Sequence, residues 1–212
     1  MTRSIALSII LAISFGSASG FALGKEESKS TANYEKALGQ IKSGDLKVDF
    51  KALRLNCASS KYRCEADTED KKKIKALLDD NNYKEALKYA QKAIEDAFVD
   101  IDLHYLAFTA NMELKQEEQA GFHKTIIREL LNSIQENKHG LSENDAFVVI
   151  NVHEEYVFLG FSKMKIKKQS LVNKGGHSYD VMECTDPENN RDISVYFNVD
   201  ISMNQLKKAI GK

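Results

Sequence analysis

The sequence predicts an α+β protein in which an N-terminal layer of helical hairpins packs on a small C-terminal antiparallel sheet with two helices. Before Gly140, successive segments carry apolar side chains at helical spacing. After Gly140, short β-branched runs alternate with turn residues such as Gly175 and Gly176. The chain has one proline and is rich in Lys, Glu, Ala and Leu, which favours helix over a β-sandwich.

The first 22 residues have the pattern of a secretory signal peptide. Arg3 supplies the positive start, residues 5–15 are apolar, and the small residues Gly20 and Ala22 suit cleavage before Leu23. The apolar run is shorter than the about 20 residues that a membrane span needs. We therefore expect an exported protein, periplasmic or secreted, with no stable membrane span after cleavage; a retained N-terminal anchor is the alternative. Residues 23–30 are polar and predict a disordered linker.

Residues 31–140 form the predicted helical region. Thr31 is a good N-cap for a first helix, and the segment 49–59 predicts a second. Four further segments show helical periodicity: residues 70–79, 83–97, 100–113 and 117–137.

Small residues recur in this region in a pattern that resembles a tetratricopeptide repeat. Ala86 and Ala120 are 34 residues apart, which is the period of that repeat. The segment 82–94, with Ala86, Ala90 and Ala93 on one stripe, is similar to its second helix, where small side chains let neighbouring helices approach closely. Only about one and a half units are visible, whereas a free-standing array needs at least three. The sequence therefore predicts a short tetratricopeptide-like layer and not a long solenoid.

Residues 141–212 predict a small α+β unit. We expect a buried strand at 146–152, a helix at 153–162, and strands at 166–173, 177–184 and 193–199. Alternation in the last strand places Val195, Phe197 and Val199 on the inward face. A final helix is predicted to begin at the cap residue Ser202 and to bury Leu206 and Ile210.

The chain has three cysteines, Cys57, Cys64 and Cys184. In an oxidising compartment two of them are expected to form a disulfide. Cys57 and Cys64 are close in sequence, so we favour that pair and expect Cys184 to be a small core residue. The other two pairings stay open, because connectivity cannot be read from spacing.

Several segments together resemble a bacterial family of secreted proteins known only as domain of unknown function 4919. The similar segments are Val48-Asp49-Phe50-Lys51-Ala52-Leu53-Arg54, Val99-Asp100-Ile101-Asp102 with His104, Gly176-His177-Ser178-Tyr179-Asp180-Val181, and Tyr196-Phe197-Asn198-Val199-Asp200. The likeness runs from about Tyr34 to Ile210. It implies export and a shared architecture but brings no activity, and the three cysteines depart from the family pattern.

The densest polar cluster on a predicted strand is formed by residues 177–180. His177 and Tyr179 share one face of that strand, while Ser178 and Asp180 share the other, so neighbours cannot form a Ser-His-Asp relay. The weak catalytic candidates are His177, Tyr179, Asp180 and Glu154. A structural polar network is the favoured interpretation of this cluster, and a pocket around His177 is the alternative.

No other established motif for chemistry is present in the sequence. There is no Walker loop, dinucleotide-binding glycine pattern or nucleophile elbow. The Cys and His spacings do not match a zinc site, and no carboxylate loop fits calcium, so we expect neither a metal nor a cofactor. Lys163, Lys165, Lys167 and Lys168 either blunt an edge strand against aggregation, which we favour, or bind an anionic group.

The charge balance gives no electrostatic case for nucleic-acid binding, and we expect no nucleic-acid partner. Lys and Arg number 30 against 31 Asp and Glu, whereas binding to nucleic acid usually needs a basic face. The favoured function is a non-enzymatic protein- or peptide-binding or scaffold module with a partner in the cell envelope. Repeat geometry suggests Tyr83, His104, Tyr105 and Asn111 as groove residues. The alternative is a small hydrolase or transferase that uses the cluster around His177.

Overall fold

The computed structural model describes residues 18–211, with side chains from residue 24 onward. The predicted signal peptide falls mostly on residues 1–17, outside this range. The described chain contains α1 (Ala18–Lys42), α2 (Phe50–Ala58), α3 (Thr68–Asp79), α4 (Tyr83–Asp96), α5 (Ile101–Glu113), α6 (Glu117–Gln135), a 3₁₀ turn (Glu143–Asp145), β1 (Phe147–Val148), α7 (Val152–Phe161), β2 (Lys165–Lys174), β3 (His177–Thr185), β4 (Asp192–Asn198) and α8 (Asp200–Ile210). The predicted α+β class is confirmed.

Polar caps define where several helices begin. Asp49 accepts a hydrogen bond from the Ala52 amide at the start of α2. Asp100 accepts from the amides of Asp102 and Leu103 at the start of α5, and Asn151 accepts from the Glu154 amide at the start of α7. Each side chain satisfies amides that have no partner within the helix, which fixes the first turn in place.

Successive helices pack against their neighbours along the chain. Helix α3 contacts α4, α4 contacts α5, and α5 contacts α6. The stripe of α4 that faces this layer contains Ala86, Ala90 and Ile94, all buried as the periodicity predicts. The tetratricopeptide likeness of the layer stays a prediction.

The four strands form one mixed sheet in the order β1-β4-β3-β2. β2 and β3 make an antiparallel hairpin, and β3 pairs antiparallel with β4. β1 pairs parallel with β4, so the expectation of a purely antiparallel sheet was wrong. The chain leaves β1 through α7 and then forms the hairpin of β2 and β3. β4 follows the hairpin and lies beside β1, in the same direction.

Two predicted segments, residues 23–30 and 146–152, differ from the structure. Residues 23–30 continue α1 and are not a disordered linker, because Lys25, Glu26 and Glu27 are polar but good helix formers. The strand predicted at 146–152 is only two residues long, since Asn151 already caps α7.

The last helix also begins earlier and is more exposed than predicted. Asp200 starts α8, so Ser202 lies inside it and not at its cap. Leu206 and Ile210 are 52% and 76% exposed, because only Ile201 and Met203, near the start of the helix, pack against the core.

A single hydrophobic core joins the helices to the sheet. It runs from Tyr34 in α1 through Leu103 and Leu130 to Met182 and Phe197 in the sheet. Val195, Phe197 and Val199 are buried, as the alternation in β4 predicts. No helix among residues 18–211 is both long and apolar enough to cross a bilayer.

Candidate functional site

A groove of about 610 Å³ lies where α3, α5 and the start of α7 meet. Its lining includes the apolar side chains of Leu78 and Leu106 and the ring of Tyr105. The remaining lining residues are polar: Glu65, Thr68, Lys71, Lys72, Lys75, Asp79, Asp102, Thr109 and His153. A groove with apolar side chains and convergent polar groups is the usual form of a binding site.

His153 holds the polar end of the groove together. Its Nε2 lies 2.8 Å from the Asp102 Oδ2 atom, and its Nδ1 lies 4.0 Å from the Glu65 Oε1 atom. The hydrogen bond with Asp102 raises the pKa of His153 above its ordinary value, although burial and the Lys71 charge oppose that shift. The hydrogen bond with Asp102 therefore favours the protonated imidazole and links α7 to α5.

Lys71 completes this cluster from α3. Its Nζ lies 3.2 Å from the Asp100 Oδ2 atom and 3.5 Å from the Glu65 Oε1 atom, and its side chain is only 12% exposed. The buried Asp100 carboxylate also accepts hydrogen bonds from the amides of Ala66, Asp102 and Leu103.

Asp100, Asp102 and His153 bring ligand atoms within 4.8 Å of one another, as a metal site would. However, the ammonium group of Lys71 already neutralises Asp100, and backbone amides saturate the carboxylate oxygens. Cation ligands need free lone pairs, so this cluster is better explained as a salt-bridge network.

Exposed aromatic side chains extend the groove along α5 and α7. Tyr105, Tyr156 and Phe161 are 47%, 44% and 40% exposed, and all three line a further groove of about 540 Å³. This second groove shares Asp102, Tyr105 and His153 with the first, so the two are continuous. The rings of Tyr105 and Phe161 meet edge to face with their centroids 5.8 Å apart, which is a favourable geometry.

A buried ion pair lies next to the polar end of the groove. Arg54 donates from Nε to the Glu154 Oε1 atom at 2.8 Å, and its second nitrogen contacts the other carboxylate oxygen. Arg54 also donates to Ser133 in α6 and to the Val148 carbonyl in β1, while the Ile150 amide donates to Glu154. Glu154 is therefore occupied by Arg54 and the Ile150 amide, and through Arg54 the ion pair holds α2, α6 and α7 together.

The catalytic candidates predicted around His177 do not converge. His177 is exposed, and its Nδ1 lies 2.6 Å from the Asp200 Oδ2 atom at the start of α8. Asp180 lies on the opposite face of β3, where its carboxylate accepts a hydrogen bond from the side-chain nitrogen Nε2 of Gln169 at 2.6 Å. Tyr179 is buried on the His177 face, with the two ring centroids 6.3 Å apart. Glu154 belongs to the ion pair with Arg54, so no shared pocket unites these four residues.

A second carboxyl group lies beside Asp180. Glu155 is fully buried in α7, and no donor among the described residues reaches either of its carboxyl oxygens. Burial, followed by the negative charge of Asp180, raises the pKa of Glu155 to about 9. Glu155 is therefore protonated at neutral pH, which avoids an unpaired buried charge.

The predicted groove residues are divided between the core and the surface. Tyr105 lines the groove. His104 is fully buried, with Nε2 2.7 Å from the Phe98 carbonyl and Nδ1 3.0 Å from His123 Nδ1. Asn111 is buried and donates to the Ala107 carbonyl, while Tyr83 contacts Asn81 at the start of α4. Of the four residues, Tyr105 is the one in the lining of this groove, and the role of all four in binding stays a prediction.

Sequence reasoning missed Glu65, Lys71, Asp102, His153 and the aromatic residues Tyr156 and Phe161. Three of them share α7, but Glu65, Lys71 and Asp102 come from a loop, from α3 and from α5, and no sequence spacing links these parts. One signal was available, because Asp100 and Asp102 stand in a segment that carries the family resemblance. This acidic pair at the start of α5 was a reason to consider that end of the helix as part of a site.

The disulfide favoured by spacing is confirmed. Cys57 and Cys64 are bonded to each other, and Cys184 is a buried free thiol in β3. Burial raises the pKa of the Cys184 thiol, which makes it a poor nucleophile.

Comparisons with known proteins add a family but no activity. No curated protein matches the chain, and no solved structure matches it. The family described as "Domain of unknown function (DUF4919)" matches residues 46–208, a range that includes the groove, the buried ion pair and the whole sheet. Since this range covers most of the sequence, the chain belongs to the DUF4919 family.

Proposed function

We propose that this protein is a non-enzymatic module that binds a segment of a partner protein in the groove between α3, α5 and α7. The observation that supports this function best is the gathering of Tyr105, Tyr156 and Phe161 along one continuous groove. Large exposed apolar side chains that cluster on one face are typical of interaction sites.

The chemistry of the groove suits a peptide chain. Aromatic side chains supply most of the binding energy at protein interfaces, because they bury a large area and lose little conformational freedom. At the polar end, Lys71, His153 and Asp102 offer donors and acceptors on a rigid network. Such groups would orient a peptide backbone or a polar side chain while the aromatic residues hold its apolar ones.

The alternative of a hydrolase or transferase has less support. It requires His177, Tyr179, Asp180 and Glu154 to act on one substrate, yet Asp180 faces away from His177 and Glu154 is paired with Arg54. His177 is hydrogen-bonded to Asp200 at the start of α8, and Asp200 is not one of the four residues that this alternative requires.

We further propose that the protein works outside the cytoplasm, in the cell envelope or the medium. The Cys57–Cys64 disulfide is compatible with an oxidising compartment. Fractionation of the native cell, with mass measurement of the intact protein, tests this location. A protein retained in the cytoplasm with Met1 still present would contradict it.

The binding function can be tested with a photo-cross-linking amino acid placed at Tyr105 in the native cell. We expect one dominant protein adduct that is lost when Phe161→Ala is combined with the same cross-linker. The matched control carries the cross-linker at Lys92, which is exposed on α4 and does not line the groove. Equal adducts at both positions, or none at Tyr105, would contradict the proposal.

A further inference from the structure

Strand β2 is a long edge strand with an open side. It stands last in the sheet order and pairs only with β3. Its ten residues are mostly exposed, and no backbone group of β2 among the described hydrogen bonds pairs with another element beyond β3. An unpaired edge of this kind is a template for an added strand.

The hairpin register shows which backbone groups face the open side. Lys174 pairs with His177 across the turn formed by Gly175 and Gly176, which both have positive φ. Ser178 directs its carbonyl to the Val199 amide, away from β2. In an antiparallel pair, bonded and non-bonded positions alternate, so the backbone groups of Asn173, opposite Ser178, point outward. By the same alternation, Leu171 and Gln169 also offer free N–H and C=O groups.

Charge and apolar character divide the strand into distinct parts. Lys163, Lys165, Lys167 and Lys168 stand at or before its start, where the register shift between Ile166 and Lys168 also distorts the edge. Lys174 stands at its end. The stretch 169–173 between them has no charge and no register shift, and Leu171 is 49% exposed. Lysines and a bulge keep an edge strand from pairing with other chains, but here they leave the centre of β2 unprotected.

The same lysines select against a second copy of this chain. An antiparallel pair of β2 strands centred on Leu171 would place Lys168 opposite Lys174 of the other copy. Like charges directly opposite are destabilising. Lys168 and Lys174 already contact Glu183 and Glu143 at 3.4 and 2.8 Å, but such exposed ion pairs are weak and exchange readily.

We propose that the open edge of β2 binds an extended segment of a partner protein as a fifth strand, and that this segment carries acidic residues on both sides of an uncharged stretch. Backbone hydrogen bonds to Gln169, Leu171 and Asn173 hold the segment. The lysines at both ends of β2 attract its acidic residues and fix its position along the strand. The inference goes beyond the proposed function and does not depend on it, because no residue of β2, from Lys165 to Lys174, lines either part of the groove.

The test selects peptides from a phage-displayed library of random linear sequences against the full chain. We expect enriched peptides with acidic residues on both sides of a β-branched or aromatic stretch. Amide hydrogen exchange, measured by NMR with a selected synthetic peptide, gives the decisive readout. The amides of Gln169, Leu171 and Asn173 should exchange quickly in the free protein and slowly in the complex. Those of Ser170 and Val172, already bonded to β3, should change little.

Two variants separate edge binding from other modes. Leu171→Pro removes one outward N–H, a change that an edge strand tolerates, and Leu171→Thr is the matched control that keeps this donor. We expect at least tenfold weaker peptide binding for the first variant and little change for the second. Lys165→Gln with Lys168→Gln should also weaken binding severalfold, and this change puts no like charge opposite Glu183, so the ladder to β3 is kept. Enriched peptides without acidic flanks, or binding that leaves the three outward amides in fast exchange, would overturn the proposal.

Discussion

At the scale of single residues, the buried ion pair of Arg54 and Glu154 makes the sharpest stability prediction. Arg54→Ala leaves a carboxylate without its partner in the core, so we expect a loss of about 3–5 kcal/mol in the free energy of unfolding. The matched control is Lys51→Ala, which breaks the exposed pair with Glu136 and should cost less than about 1 kcal/mol. Urea unfolding of both variants measures the difference, and equal losses would contradict the argument.

The buried histidine pair predicts how stability falls in acid. Burial, with the charge of His123 adding to it, lowers the pKa of His104 from 6.5 to about 3, and burial lowers that of His123 to about 4. As the pH falls, the two histidines therefore bind protons at a higher pH in the unfolded chain than in the folded protein. The stabilising contribution is complete above pH 6.5 and is lost as the pH falls toward 4. Urea unfolding at pH 7 and pH 4.5 should show a smaller loss for His104→Gln with His123→Gln than for the unaltered chain. An unchanged loss would show that the pair does not control the acid response.

Glu155 predicts the opposite dependence at higher pH. Its pKa in the folded protein, about 9, exceeds the ordinary value of 4.5. Its contribution is complete below pH 4.5 and is lost as the pH rises toward 9. At pH 8 the folded protein keeps Glu155 protonated, whereas the unfolded chain ionises it, and this difference lowers the free energy of unfolding. Glu155→Gln removes the difference and should raise the free energy of unfolding at pH 8 by about 1 kcal/mol or more. Glu188→Gln, in an exposed loop, should change nothing; a Gln at residue 155 that destabilised the protein at pH 8 would contradict the prediction.

At the scale of elements, the entry into the sheet depends on close contact between Gly140 and Phe147. Gly140 has φ +70°, and a Cβ built there would lie 2.3 Å from the ring of Phe147. Gly176 has φ +85° with open space around it, so it is the matched control. Both Gly→Ala changes incur the left-handed backbone cost of about 1–2 kcal/mol. We expect Gly140→Ala to cost at least about 2 kcal/mol more, as measured by thermal unfolding. Equal costs would mean that the ring moves aside freely.

The sequence predicted those elements whose periodicity is set by burial. The alanine stripe of α4 and the alternation of Val195 and Phe197 in β4 were visible because each element buries one continuous face. The predicted burial of Leu206 in α8 was wrong, since only the beginning of this helix packs against the core and Leu206 is exposed to solvent. The groove could not be predicted, because Lys71, Asp102 and His153 meet only after three helices have packed. Their proximity depends on tertiary distances that no local spacing records.

At the scale of the whole molecule, the helical layer and the sheet share one hydrophobic core. The core contains residues from both parts, and Arg54 in α2 is bonded to Glu154 in α7 and to the β1 carbonyl of Val148. A boundary at residue 140 divides the sequence by pattern but cuts through this core. Two regions that share one core unfold together.

We therefore expect a single cooperative unfolding transition for the full chain. The chain has eight Tyr and no Trp, so near-ultraviolet circular dichroism reports tyrosine packing, while far-ultraviolet circular dichroism reports the helices. Both urea curves should have the same midpoint. A fragment that ends at Gly140 should lack a cooperative transition, because the core that contains Leu130 and Ile134 also contains residues of α7 and the sheet, which the fragment lacks. A fragment that unfolded cooperatively would instead show that the helical region is a domain, and the groove proposal would then have to explain how α7 docks on it.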